Sequence, residues 1–288
     1  MRQVPDRVGA VIGERYELLS LLGRGGQSAV YRARDQKSGD EVAVKVLLPN
    51  TDPQSIERMY REAIAMSKLA GTTAAVRIFD QVSDPDGTRA LVMELLHGWD
   101  LLEYLETREK KGQRMSLNSL RALGAPLVET LEAAHAIGIV HRDIKPPNVW
   151  IVHDSHGGGV RLLDFGFAKL TRAVAITDSD QVAGTPTFIA PEVFLQGAAK
   201  ADARADVYSL AVVFFRVLTG RVPFEGESLL DLLKKVTSAP RPSLHALRPD
   251  LPKALDEWVE QALAANRDLR FNGVRAMWNA LLVCLDER

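Results

Sequence analysis

Apolar and polar positions alternate over short runs in the first third of the chain. Residues 1–15 show no clear periodicity, and we expect a loosely held leader there. After it, runs rich in β-branched and aromatic residues are separated by turn-forming residues, a pattern typical of antiparallel strands. The predicted strands lie at 16–22, 29–35, 41–47, 76–83 and 88–94. They predict a five-stranded antiparallel sheet.

Helical spacing appears once inside this region and dominates the chain beyond residue 98. Asp52-Pro53 is a helix start, and apolar residues follow it at 56, 59, 60, 63 and 64. Further periodic segments lie at 101–110, 117–137, 203–219, 229–236, 255–265 and 274–286. Pro126 should kink or split the second of them, because proline removes a backbone donor and clashes with the preceding turn.

These elements predict an α+β protein with two lobes. The first lobe, residues 16–95, would hold the sheet and one helix, and the second, residues 99–288, would be mainly helical. A connecting hinge is expected at 94–98. A strand pair at 149–152 and 160–163 interrupts the helical region, and its flexible connection predicts a small hairpin.

Composition and charge exclude several classes of function. Lys and Arg total 36 against 37 for Asp and Glu, so the net charge of -1 gives no general attraction for nucleic acid or an anionic membrane. The single cysteine, Cys284, cannot form an internal disulfide. The first residues do not resemble a secretory signal, and no apolar stretch approaches the roughly 20 residues that span a bilayer. We therefore expect a cytoplasmic protein without a membrane segment.

A glycine cluster at 23–26 is the first candidate for chemistry. It lies between two predicted strands, where glycines let backbone amides approach phosphates closely, although a plain flexible turn is an equal alternative. Ala43 and Lys45 share one face of the third strand, which points a lysine toward this loop. Glu62 on the following helix can hold the lysine ammonium in place.

The most specific signal is a catalytic-loop motif followed by a metal-binding triplet. The motifs are His141-Arg142-Asp143-Ile144-Lys145-Pro146-Pro147-Asn148 and Asp164-Phe165-Gly166. With the glycine loop and Lys45 ahead of them in order, the chain resembles the eukaryotic-type protein kinase family from about residue 16 to 288. Ala190-Pro191-Glu192 matches the end of the family's activation segment, which positions the peptide substrate. Arg270 matches the residue that pairs with Glu192, and Asp206 matches the start of the family's central buried helix. The general style of the sequence suggests the subgroup of compact prokaryotic serine/threonine kinases.

The resemblance implies roles for individual residues. Asp143 would orient the substrate hydroxyl and receive its proton, and Lys145 would neutralise the migrating phosphoryl group. Lys45, held by Glu62, would position the phosphates of ATP. Asn148 and Asp164 would hold Mg²⁺, with Mn²⁺ as the alternative, because hard cations prefer oxygen ligands.

The resemblance also implies a nucleotide site. Asp100 would contact the ribose, the backbones of Glu94 and Leu96 would bind the adenine edge, and Met93 would close the back of the pocket. Trp150 replaces a smaller apolar residue under the adenine, so its indole either stacks there or turns into the core. The full set of nucleotide contacts is Leu22, Gly23, Arg24, Gly25, Gly26, Gln27, Ser28, Val30, Ala43, Lys45, Met93, Glu94, Leu96, Asp100 and Trp150.

The implied function is a serine/threonine protein kinase that phosphorylates proteins and its own activation loop. Thr185 would touch Asp143 and Lys145, and Arg142 would pair with a loop phosphate, with Lys169 as a second cation. The candidate acceptors are Thr171, Thr177 and Ser179. Other expected partners are ATP and a second copy in an activating homodimer, without nucleic acid. A pseudokinase scaffold would lack a catalytic group and a small-molecule kinase would lack the peptide-positioning segment, yet both stay open as alternatives.

Overall fold

The computed structural model describes residues 7–24, 28–47, 73–164, 186–197 and 201–286, with single positions at 56–57, 60, 63–64, 67 and 69. The chain divides into two compact units, Met1–His97 and Gly98–Arg288. We call them the first and the second unit.

The first unit holds an antiparallel sheet of strand order β1-β2-β3-β4-β6-β5. Its strands are β1 (Val11–Ile12), β2 (Tyr16–Arg24), β3 (Ser28–Asp35), β4 (Glu41–Leu47), β5 (Ile78–Ser83) and β6 (Arg89–Glu94). The five predicted strands are confirmed. Positions 56–57, 60, 63–64 and 67 are helical, as predicted for the segment after β4.

The two faces of this sheet carry different side chains because strand residues alternate. Tyr31, Val44 and Val92 belong to the apolar core of the first unit and are fully buried. Full burial of an aliphatic or aromatic side chain contributes about 1.5–3 kcal/mol, so this face stabilises the sheet. The opposite face is the one available for chemistry.

The leader prediction was wrong for residues 7–15. Val11 pairs with Glu17, and Ile12 is buried, so β1 adds a sixth strand to the sheet. Arg15 then makes two hydrogen bonds to Asp35, of 2.7 and 2.6 Å. A two-residue strand is too short to show periodicity, and this is why the sequence pattern missed it.

The second unit is mainly helical, as predicted. The helices are α1 (Leu101–Lys110), α2 (Leu117–Ala136), α3 (Pro191–Gln196), α4 (Ala203–Thr219), α5 (Leu229–Ser238), α6 (Leu244–Leu247), α7 (Leu255–Ala262) and α8 (Val274–Asp286). Helix α4 is buried around almost its whole circumference, which places it at the centre of this unit. The six predicted helices are confirmed, although α7 ends three residues early.

Helix α2 runs through Pro126 without a break, which excludes the split, one of the two outcomes expected at this proline, and the kink stays a prediction. Proline removes one backbone donor, a loss of a single bond in a 20-residue helix. Buried side chains on both sides of it, Leu123 and Leu127 among them, pack into the core and hold the helix together.

A small three-stranded sheet, β7 (Gly98–Asp100), β8 (Val149–Val152) and β9 (Val160–Leu162), completes the second unit. The predicted hairpin is β8 and β9, and β7 was not predicted. Gly98 permits the pairing of β7 with β8, because a Cβ there would overlap the carbonyl oxygen of Ile151. None of the helices in the described residues has the length and apolar character to cross a membrane.

Candidate active site

The carboxylate of Asp143 lies at the centre of a compact hydrogen-bonded cluster. Lys145 Nζ donates to both of its oxygens, at 3.0 and 2.9 Å. Asn148 Nδ2 donates to Asp143 Oδ2 at 3.0 Å and to the Asp143 backbone oxygen at 2.7 Å. The three predicted residues are thus brought together, and the carboxylate is fixed in one orientation.

The amide of Asn148 is oriented so that its oxygen remains for a cation. Both bonds to Asp143 come from Nδ2, which leaves Oδ1 as the atom that can meet a metal ion. Leu163 N donates to the Asn148 backbone oxygen at 2.8 Å, which ties the strand before Asp164 to the catalytic loop. The described residues contain no group of three or more His, Cys, Asp or Glu suited to a metal. Asn148 and Asp164 carry the oxygen donors that a hard cation such as Mg²⁺ prefers, and their expected role as its ligands stays a prediction.

His141 is a buried, neutral structural residue. Its Nε2 donates to the Leu163 backbone oxygen at 2.9 Å, and its Nδ1 accepts from the Asp143 amide at 3.2 Å. These two partners require the tautomer that carries its proton on Nε2. Burial lowers the pKa of His141 below its ordinary value, which agrees with a neutral ring. His141 thus links the amide of Asp143 to the strand that precedes Asp164.

Asp206 anchors the catalytic loop from the core. Its fully buried carboxylate accepts from the His141 amide and the Arg142 amide, each at 2.8 Å. His135 Nε2 donates to the same carboxylate at 2.7 Å. The sequence motifs imply no specific role for His135, because its contact with Asp206 forms only when α2 and α4 pack against each other.

Two non-glycine residues beside Asp143 and Asn148 have left-handed backbone. Arg142 has φ 64° and Asp164 has φ 49°. Such conformations cost about 1–3 kcal/mol when the surroundings do not hold them. The Nε of Arg142 is buried and has no hydrogen-bond partner among the described residues.

A buried ion pair holds the segment that was expected to position a peptide. Arg270 donates to both oxygens of Glu192, at 2.8 and 2.7 Å, and the Arg270 side chain is fully buried. This confirms the expected pairing of the two residues. Phe165, Lys169, Thr171, Thr177, Ser179 and Thr185 lie outside the described residues.

In the first unit, strand register collects the residues expected to contact nucleotide. Val30 pairs with Lys45 across β3 and β4, and Ala43 pairs with Met93 across β4 and β6. Because paired residues and residues two apart share a face, these four side chains lie on the face opposite the core. Glu62 lies outside the described residues, so its expected pairing with Lys45 stays a prediction.

The flanks of the glycine loop lie on strands. Leu22, Gly23 and Arg24 end β2, and Ser28 begins β3. Gly25, Gly26 and Gln27 lie outside the described residues, so the contacts expected from them stay predictions.

The remaining expected nucleotide residues have structural contacts of their own. Glu94 is buried and accepts from the Arg77 amide at 2.8 Å. Asp100 caps helix α1 by accepting from the Glu103 amide at 2.9 Å. Trp150 is half-buried, opposite Asp100 in β8, and its indole nitrogen has no partner in the described part of the chain. The roles expected for Leu96 and these residues stay predictions.

Comparison with known proteins agrees with this geometry. The protein kinase domain family matches residues 16–277. The chain belongs to this family. The crystal structure of the Mycobacterium tuberculosis PknI kinase domain superposes with a TM-score of 0.73 at 26% identity, and the match covers 96% of this chain and 98% of that one. The fold is therefore that of a protein kinase.

Bacterial serine/threonine kinases are among the similar curated proteins. Pkn1 of Myxococcus xanthus is 37% identical over 276 residues, which are 94% of this chain and 38% of Pkn1. PknA of Mycobacterium tuberculosis is 37% identical over 270 residues, which are 92% of this chain and 60% of PknA. The chain thus spans about two fifths to three fifths of the length of these relatives.

Proposed function

We propose that this protein is a serine/threonine protein kinase that transfers the γ-phosphoryl group of ATP to hydroxyl groups of proteins. The observation that carries the proposal is the position of Asp143, whose carboxylate receives hydrogen bonds from both Lys145 and Asn148. A scaffold without catalysis would need none of these contacts. The cytoplasm, where ATP is plentiful, is the proposed place of action.

The proposed reaction assigns one task to each residue. The substrate hydroxyl oxygen forms a bond to the γ-phosphorus, its proton passes to Asp143, and the bond to the bridging oxygen breaks, so that ADP leaves with the electron pair. Lys145 lies 2.9 Å from Asp143 Oδ2 and supplies positive charge next to the transferred group. Mg²⁺, or Mn²⁺ in its place, would be held by Asn148 and Asp164 and would neutralise phosphate charge.

The test measures transfer of labelled γ-phosphate to the protein itself and to a generic basic protein. Asp143→Asn keeps the shape of the side chain but removes the proton acceptor, and we expect transfer to fall by about 10²–10⁴-fold. Asp154→Asn, at an exposed position in the β8–β9 connection, is the matched control and should keep wild-type activity. Equal or absent label in wild type and Asp143→Asn would favour a pseudokinase or a small-molecule kinase instead.

Regulation by phosphorylation is part of the same proposal. The buried Nε of Arg142 suits a phosphate on the activation loop, because arginine binds phosphate through charge-assisted hydrogen bonds. We expect Thr177→Ala with Ser179→Ala to lower the activity of phosphorylated protein to the level of phosphatase-treated wild type. If wild type and the double variant are both treated with phosphatase and the double variant keeps full activity, the proposed regulation by phosphorylation is contradicted. The other expected regulatory step is the association of two copies through their first lobes. Sedimentation measured at several protein concentrations tests it.

A further inference from the structure

A groove lies on the second unit where the end of α5, the helix α7 and the segment 264–269 meet. Its volume is about 660 Å³. Pro240, Ala264 and Leu269 provide apolar lining, and Glu257 and Glu260 of α7 form one wall. We call this feature the α7 groove. The proposed phosphoryl transfer makes no use of it.

The apolar part of the α7 groove is open to solvent. Leu269 is 66% exposed, at the end of a short turn. Single exposed leucines are common on protein surfaces and need no explanation. Here, however, Pro240 and Ala264 continue the apolar lining beside Leu269, so an aliphatic side chain placed in the groove would meet apolar atoms on more than one side.

The exposed charge of the α7 groove is negative. Glu257 and Glu260 are exposed and three residues apart, so they lie on the same face of α7. Neither makes an ion pair or hydrogen bond with a described residue. Arg241 also lines the groove, and its positive charge attracts the Glu260 carboxylate. Its guanidinium donates hydrogen bonds to the backbone oxygens of Leu263, Ala239 and Val236. Two carboxylates against one guanidinium leave the lining with a net negative charge.

The nearby charges on the 267–269 turn are already paired. Arg267 lies 3.5 Å from Asp202, and Asp268 accepts from Arg204 at 2.7 Å. These paired charges do not offset the negative charge of Glu257 and Glu260. A ligand that carries positive charge next to an aliphatic group is therefore the complementary one.

The groove lining is connected to the segment that holds Glu192. Arg270 Nε donates to the Ala264 oxygen at 2.8 Å and Nη2 to the Ala265 oxygen at 3.3 Å, while the same guanidinium binds Glu192. A chain bound in the groove would thus be attached beside α3, which ends the segment expected to position a peptide. This location suits a protein substrate better than an unrelated ligand.

We propose that the α7 groove docks a short linear segment of a protein substrate, with an aliphatic side chain flanked by lysine or arginine. The aliphatic side chain packs against Leu269 and Pro240, and the basic side chains pair with Glu257 and Glu260. The substrate assignment rests on the proposed function, whereas binding itself does not require catalysis.

Fluorescence anisotropy of a labelled seven-residue peptide tests the proposal. The probe has a central leucine with an arginine on each side and glycines elsewhere, and a second probe replaces both arginines by glutamate. We expect the basic probe to bind and the acidic probe to bind at least tenfold more weakly. Glu257→Lys with Glu260→Lys should raise the Kd of the basic probe about tenfold, and Leu269→Ser about threefold. Glu106→Lys, at an exposed position on α1, should leave it unchanged.

Three results would overturn the proposal. They are no binding of the basic probe at millimolar concentration, equal binding by wild type and both groove variants, or equal binding of the two probes. Circular dichroism confirms that each variant is folded. Phosphate transfer to a generic basic protein is measured separately on the wild-type protein, and the Glu106→Lys control outside the groove should leave it unchanged. If phosphate is transferred but the basic probe does not bind, the groove proposal is refuted and the proposed kinase function is not. If the probe binds but no phosphate is transferred, the kinase function is refuted and binding at the groove is not.

Discussion

Replacing Asp206 by asparagine tests whether one buried carboxylate holds the catalytic loop. Asp206 Oδ1 accepts from the Arg142 amide, and Oδ2 accepts from the His141 amide and His135. An asparagine has nearly the same shape, but its NH₂ group must face at least one of these donors. The better of its two orientations turns NH₂ toward Arg142, which keeps two bonds and loses one.

The loss can be estimated from these contacts. A hydrogen bond to a charged group contributes about 1.5–3 kcal/mol, and the two retained bonds also weaken when the charge is removed. We therefore expect Asp206→Asn to lower the free energy of unfolding by about 2–4 kcal/mol. The freed Arg142 amide no longer supports the left-handed backbone next to Asp143, so kcat should fall as well.

Urea unfolding and steady-state kinetics measure the two effects. Asp231→Asn, in the first turn of α5 and partly exposed, is the control and should change unfolding by less than about 1 kcal/mol and leave kcat unaltered. A loss below about 1 kcal/mol for Asp206→Asn, together with wild-type kcat, would refute the reasoning. It would mean that the loop is held by its other contacts.

Two further predictions concern ion pairs, one buried and one partly exposed. Arg270→Met leaves Glu192 buried without a partner, so the free energy of unfolding should fall by about 3–5 kcal/mol. Adding Glu192→Leu should restore part of that free energy. Unchanged urea unfolding of the single variant would contradict the prediction. The hydrogen bonds of Arg15 hold the pKa of Asp35 well below its usual range. The stability from this pair is therefore present above the unfolded pKa of about 3.9 and is lost as pH falls through the folded value. The difference in the free energy of unfolding between wild type and Asp35→Asn should stay constant from pH 7 to 5 and shrink below about pH 4. Urea unfolding at each pH measures it.

Most parts of the fold that the sequence pattern predicted are those long enough to repeat. The short strands β8 and β9 are the exception, because the turn-forming residues between them indicated a hairpin. The five long strands and the helices of eight or more residues in the second unit each show at least two periods, and the structure contains them all. Strands β1 and β7 and helices α3 and α6 have two to six residues. At that length a pattern of period 2 or 3.6 cannot be told from chance, and pairing with a neighbour decides the conformation.

For the site, the family motifs predicted the contacts along the catalytic loop and the distant pair of Arg270 and Glu192, and missed a residue that belongs to no motif. Asp143, Lys145 and Asn148 lie within five residues of one another, and the resemblance to the protein kinase family implied that they share one site. His135 reaches the same cluster only because α2 and α4 bring it to Asp206. That contact joins two residues 71 positions apart and depends on the packing of their helices, which no local spacing encodes.

Backbone strain and hydrogen bonding explain each other around Asp143. In the described part of the chain, three non-glycine residues have positive φ, and two of them, Arg142 and Asp164, adjoin the catalytic cluster. Aspartate tolerates this region better than arginine does, because a short polar side chain can hydrogen-bond locally. Arg142 therefore needs external support, and the Asp206 carboxylate supplies it at the amide. The strain is retained because it turns the chain at Asp143, so that its carboxylate meets Lys145 and Asn148 at once.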